Sequence, residues 1–176
     1  MSGIVGDNAA RASGVIASAG GGKILQVVQA LKTGASTIST SWTDISDLSV
    51  AITPSDASSK LFITSSVNMM GGRAAWIKLL RDVGGAGYAD SAYIGDVGGS
   101  RTQCAIMNGV SDDFDGICAN IEYLDTTNTT SEVTYKLQGK SKHVTYYLGI
   151  NRAYADSNSS DYGRGASSIT VWEIGA

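Results

Sequence analysis

The residues best placed by type and spacing to do chemistry are the acids of Ser111-Asp112-Asp113-Phe114-Asp115-Gly116, with Glu122 following. With Ser111 as position 1 of a calcium loop, Asp113 falls at 3, Asp115 at 5, Gly116 at 6 and Glu122 at 12. Position 1 is Ser where the motif wants Asp, the flanks AIMNGV and YLDTTN read as strand or turn where it needs helices, and Glu122 falls inside a candidate strand. The segment therefore reads as an acidic hairpin loop, with Asp113, Asp115 and Glu122 a weak cation candidate and no metal or cofactor expected. Asp112, Asp113, Asp115, Asp156 and Asp161 include enough carboxylates for the pair a glycosidase needs. Asp clusters in loops nevertheless arise from backbone hydrogen bonding in turns, and no catalytic residue is assigned.

The remaining reactive groups are few. His143 is the sole histidine, which excludes a metal site with two imidazoles from one chain; it reads as a solvent-facing residue at a strand entry. Cys104 and Cys118 lie in neighbouring candidate strands, where register decides whether a disulfide forms; in a reducing cytoplasm they stay buried thiols. Tyr154, Asp156, Asn158, Asp161, Tyr162 and Arg164 share one long polar loop. Aromatic faces with neutral and charged hydrogen-bonding groups suit contact with a carbohydrate or protein receptor. Gly84-Gly85-Ala86-Gly87 lacks the following helix that a phosphate site would use.

These residues need a scaffold, and the sequence predicts one made of strands. The chain has 176 residues, 16% of them charged, and a net charge of −3, enough for one domain with a real core. It has no basic surplus for nucleic acid, no apolar run long enough to insert in a membrane, and no signal-like start. Leu48, Val50 and Ile52 alternate with small or polar residues, as do Leu61, Ile63, Ser65, Val67 and Met69, and Pro54-Ser55-Asp56 marks a turn between them. The same period recurs at Val133, Tyr135, Leu137 and at Val144, Tyr146, Leu148, Ile150, with Gly139–Lys142 expected as a hairpin loop. Further strands are expected at 24–31, 75–83, 102–108, 117–124 and 168–174. The 74–82 stretch also fits a short helix, because Trp76, Leu79 and Leu80 share a helical face, but its glycine exit favours a strand. About nine strands make an all-β, jelly-roll-like sandwich over 23–176. Residues 1–22 form an N-terminal arm with too little apolar surface to order alone.

GKILQVVQ (22–29), SWTDISDLSVAITPSDASSKLFITSSV (41–67), Leu80-Arg81-Asp82, YLDTTNTTSEVTYKLQ (123–138) and ASSITVWEIGA (166–176) together resemble bacteriophage tail-fibre or head-fibre-like virion structural proteins of the marine-phage type. SGIVGDNAARASGVI is similar to the docking peptides that open many phage fibres and spikes. The resemblance implies a β-sandwich that trimerises, made in the host cytoplasm and resident in the virion, with no enzymatic role. Ile4, Val5, Arg11, Val15 and Ile16 would dock it on other virion proteins of the tail, portal region or capsid, and its loops would reach a host-surface glycan. The alternatives are a capsid decoration protein (a cement or head-fibre protein) with no receptor and, more remotely, a small polysaccharide hydrolase.

Overall fold

The computed structural model describes residues 22–71, 74–109, 116–153 and 156–176. The arm residues Ile4, Val5, Arg11, Val15 and Ile16, the acids Asp112, Asp113 and Asp115, and Tyr154 lie outside them. Eleven strands are present: β1 (Ile24–Lys32), β2 (Ser36–Ile38), β3 (Thr43–Ile52), β4 (Lys60–Gly71), β5 (Ala74–Val83), β6 (Ala89–Asp90), β7 (Ile106–Gly109), β8 (Ile117–Asp125), β9 (Val133–Ser141), β10 (Leu148–Ile150) and β11 (Ser167–Ile174). Among the described residues there is no helix, and every strand pairing is antiparallel.

One sheet is organised around β4. Along one edge β4 bonds β11 over residues 60–66 and then β10 over 69–71, and along the other it bonds β8. β1 extends this sheet beyond β11, and β2 extends it beyond β10. The second sheet runs β3-β9-β5, with β6 and β7 sharing the free edge of β5. The two sheets face each other as a jelly-roll-like sandwich. Alternation in sequence becomes alternation in space: Leu61, Ile63 and Val67 of β4, Ile77 and Leu79 of β5, Val133, Tyr135 and Leu137 of β9, and Ile169 and Val171 of β11 all point into one core. Each such side chain, removed from water, stabilises the fold by about 1.5–3 kcal/mol before entropy is counted.

Polar groups inside the sandwich tie the sheets together. Asp125, at the end of β8, is buried and receives Arg81 Nη1 on both oxygens at 2.9 and 2.8 Å, Tyr135 Oη at 2.7 Å and Tyr123 Oη at 3.1 Å. Arg81 and Tyr135 belong to the opposite sheet, so this carboxylate bridges the layers. The Asp125 hydrogen bond pushes the Arg81 guanidinium's affinity for its proton up, and burial followed by the same carboxylate does so for the Tyr135 hydroxyl.

Near the C-terminal end of β11, where Glu173 and Asp125 flank Leu61 of β4 from its two sides, buried Glu173 accepts the Ser55 amide and hydroxyl at 2.7 and 2.6 Å and Gln26 Nε2 at 2.7 Å. Desolvation acts to raise its pKa, but these hydrogen bonds, led by the Ser55 hydroxyl, outweigh it and hold the carboxyl at about 2.

Several expectations change. Residues 74–83 are strand throughout. The expected 139–142 hairpin is absent: Gly139–Ser141 continue β9 opposite β5, and only Leu148–Ile150 of the expected 144–150 strand forms, pairing with β4 and β2. Gly139 permits this, because a Cβ there would stand 2.8 Å from Ile38 Cδ1 and 2.9 Å from Leu148 Cδ2, so that strand crosses directly beneath β2 and β10. The 102–108 strand shortens to β7, and β2 and β6 are additional. Both cysteines are thiols, but neither is buried as expected: Cys104 is half-buried in the loop before β7, and Cys118 is exposed on β8.

Candidate functional site

The chain leaves β10 at Ile150 and returns to the same sheet at Ser167. Asn151 makes that departure possible. It is buried, takes a left-handed φ of 58°, donates Nδ2 to the carbonyls of Lys32 and Gly34 at 2.8 and 3.2 Å, and accepts the Ser167 hydroxyl at 2.6 Å. Its amide bonds the Asn68 carbonyl, and its own carbonyl receives the Gly165 amide, which closes the base of the 151–166 loop on β4. Gly165 lies so close to β4 that a Cβ there would fall 2.6 Å from Asn68 Cγ.

Above this base opens a groove of about 470 Å³, lined by Asn68 and Met70 of β4, Gly116–Cys118 at the start of β8, Arg152 and Ala153, and Asp161 with Gly163–Gly165. Asp156 organises one wall. Arg152 Nη2 meets its Oδ2 at 3.2 Å and Arg164 Nη2 its Oδ1 at 2.8 Å, so the two guanidinium groups are held by one carboxylate. Arg152 is anchored further by Thr37 Oγ1, by Tyr147 Oη and by the Tyr147 ring 5.4 Å away, whereas the Arg164 side chain is 58% exposed. Asp161 accepts the Ser159 hydroxyl at 3.0 Å.

Of the residues expected in a receptor-contact loop, Asp156 and Arg164 are directly paired and Asp161 joins Arg164 in the groove lining. Asn158 is exposed, Tyr162 is half-exposed, and neither lines the groove. Arg152, Asn68 and Cys118 are additions that the sequence reading missed. An arginine directly after a buried asparagine that follows an apolar run is the only local signal for Arg152; the other two arrive from strands distant in the chain. Glu122 sits in mid-strand on β8 opposite Thr64, exposed and facing away from the core. His143 lies in the loop before β10 with its ring edge-on to Tyr146 at 5.9 Å.

The groove's chemistry is that of hydrogen-bonding recognition. Two planar guanidinium groups, the Asp161 carboxylate and the Asn68 amide present donors and acceptors at fixed positions, and a few polar groups in a groove of this volume suffice to orient a small ligand. The Cys118 thiol at its edge meets Ser66 Oγ at 2.8 Å and Asn120 Oδ1 at 3.6 Å, neither of them a base able to activate it.

The outer faces of the two sheets differ in character. On the β1-β11-β4-β8 face, Val27, Trp172, Phe62 and Leu124 stand opposite one another in a continuous apolar row across four strands. Among the outward positions of those strands only Lys60 and Glu122 carry charge. The β3-β9-β5 face instead carries Asp44, Lys78, Lys136 and Lys140 with the aromatic rings of Trp42 and Trp76.

No family model matches this chain, and no curated protein matches it. Among solved structures it is similar to "Structure of infectious bursal disease virus Gx strain", with 11% identity and a TM-score of 0.38 over 87% of this chain and 42% of that one. It is also similar to "Crystal structure of infectious bursal disease virus VP2 subviral particle", with 9% identity and a TM-score of 0.34 over 86% and 40%. The chain thus spans about two-fifths of the length of these proteins.

Proposed function

We propose that this chain is a phage virion structural protein, a short fibre or tail appendage that assembles as a homotrimer, attaches to the particle through residues 1–22 and meets the host surface with the 151–166 loop. The observation that carries this reading is the nearly uncharged outer face of the β1-β11-β4-β8 sheet with its Val27–Trp172–Phe62–Leu124 row. A free monomer gains nothing from such a face, whereas a subunit repeated around a three-fold axis buries it against a second copy. Its composition fits the core of a protein–protein interface, which is depleted in charge and enriched in aromatic residues. Three arms on one trimer would raise attachment strength through effective concentration. The groove beside Asp156 and Arg164 would then contact a host-surface glycan.

The test has two parts. Sedimentation of the purified chain is expected to give a trimer, and Phe62→Asp with Leu124→Asp to give a folded monomer; a native monomer refutes the assembly. Deleting residues 1–22 is expected to abolish incorporation into particles while the body still folds. Incorporation at normal copy number refutes arm docking. Hundreds of copies per particle, rather than a few dozen, would replace the appendage with a capsid decoration protein.

A further inference from the structure

The β3-β9-β5 face, on the sheet opposite the one from which the 151–166 loop springs, carries a second constellation. Lys140 of β9 stands opposite Trp76 of β5, and Trp42 directly precedes β3 on the other side. The Lys140 ammonium lies 5.9 Å from the Trp42 ring centre and 5.8 Å from that of Trp76, between two indoles. Met107 of β7, 75% exposed, continues the row beyond Trp76. The neighbouring cations are already neutralised: Lys78 pairs with Asp90 at 2.8 Å while lying 4.7 Å from the Trp42 ring, and Lys136 pairs with Asp44 at 2.8 Å. Gln138 is tied to Asp44 as well, at 2.7 Å. Among the described residues no carboxylate pairs with Lys140.

We propose that this row is a binding site for a carboxylate-bearing sugar, such as a uronate or sialate residue within an acidic polysaccharide. Trp42 and Trp76 rise from strands two spacings apart, about 10 Å between backbones, and both rings are partly exposed, so each offers apolar surface to a pyranose ring. The ammonium between them is the one cation of the cluster with an open anionic position, and it matches a carboxylate on a ring stacked against either indole. The fixed Lys78–Asp90 and Lys136–Asp44 pairs hold the rest of the face electrically balanced, so that Lys140 decides the sign of the ligand. The face is independent of the groove described above and does not require that reading.

Titration of the full chain with trigalacturonate and with sialyllactose, followed by tryptophan fluorescence and calorimetry, tests the assignment. Saturable binding of at least one of the two is expected. Its methyl ester, with the charge removed, should bind at least tenfold more weakly, and affinity should fall as salt rises. Lys140→Gln and Trp76→Ala should each weaken binding tenfold or more with thermal unfolding unchanged, and Lys23→Gln, an exposed charge ahead of β1 and outside both sites, should leave it unaltered. Absence of binding by both acidic sugars, equal binding of the esters, or full affinity in Lys140→Gln overturns the proposal. Displacement of bound sugar by inorganic phosphate, at concentrations where acetate has no effect, would overturn the carboxylate assignment.

Discussion

Acid should weaken this protein through Glu173 in a way that one substitution can isolate. Its folded pKa of about 2 lies below the ordinary glutamate value of 4.5, because Ser55 and Gln26 hydrogen-bond the ionised form in a buried setting. A depressed folded pKa means that the unfolded chain takes up the proton first as pH falls, so the contribution is complete above about pH 4.5 and is lost on the way down to about pH 2. A difference of about 2.5 units corresponds to about 3 kcal/mol at neutral pH, and about 2 kcal/mol of that is gone by pH 3. Other carboxylates titrate over the same range. The informative quantity is therefore the gap between the native chain and Glu173→Gln, measured by urea denaturation at several pH values from 7 to 3. The gap should narrow by about 2 kcal/mol over that range, with the native chain the more stable at pH 7. A gap that stays constant between pH 7 and pH 3 would refute the reasoning, because the stabilisation would then come from packing rather than from the ionised carboxylate.

The other predictions concern single contacts. Asp125→Ala removes the carboxylate shared by Arg81, Tyr123 and Tyr135 and leaves a guanidinium and a buried hydroxyl unpaired; a loss of about 3–5 kcal/mol is expected in urea denaturation, and Asp125→Asn should cost less. Gly139→Ala drives a methyl into Ile38 and Leu148 and should destabilise by about 1–3 kcal/mol, read as a lower thermal midpoint. Gly165→Ala should displace the 151–166 loop from Asn68, visible as faster amide exchange at position 165 and at Asn151 while the core strands keep their protection. Cys118, exposed on β8, should react with a thiol reagent well before Cys104, whose pKa burial raises; equal rates in Cys118→Ser and Cys104→Ser proteins would contradict that.

The strands legible in the sequence are those whose period-2 pattern is enforced by burial on one face. Leu61, Ile63 and Val67 alternate because their neighbours point away from the core, and Val133, Tyr135 and Leu137 do so for the same reason. Val144 carries the same pattern but is 72% exposed, so the alternation there has no buried face behind it and no strand forms until Leu148. The difference lies in pairing with β4 and β2, which are separated from β10 by more than seventy residues and leave no trace in local spacing. The site divides in the same way. Asp156, Asp161 and Arg164 share one loop and were visible together, whereas Asn68 and Cys118 reach the groove through the register of β4 against β8. The Lys140 row was hidden more deeply, since Trp42, Trp76 and Lys140 come from three segments and only β3, β9 and β5 lying side by side brings them within reach.

The arrangement of strands along one edge of β4 has a consequence for how this protein can change. Ile150 pairs with Met69 and Ser168 with Ser66, so the 151–166 excursion begins and ends on almost neighbouring positions of a single strand. Its two feet are set by the sandwich and not by the loop's own length. Closing a loop twice as long between the same feet costs only about 0.6 kcal/mol more, a small fraction of a domain's stability. The excursion is thus a cassette: lineages could lengthen, shorten or exchange it, and with it whatever the groove recognises, while Asn151, Gly165 and the strands beneath go on folding as before.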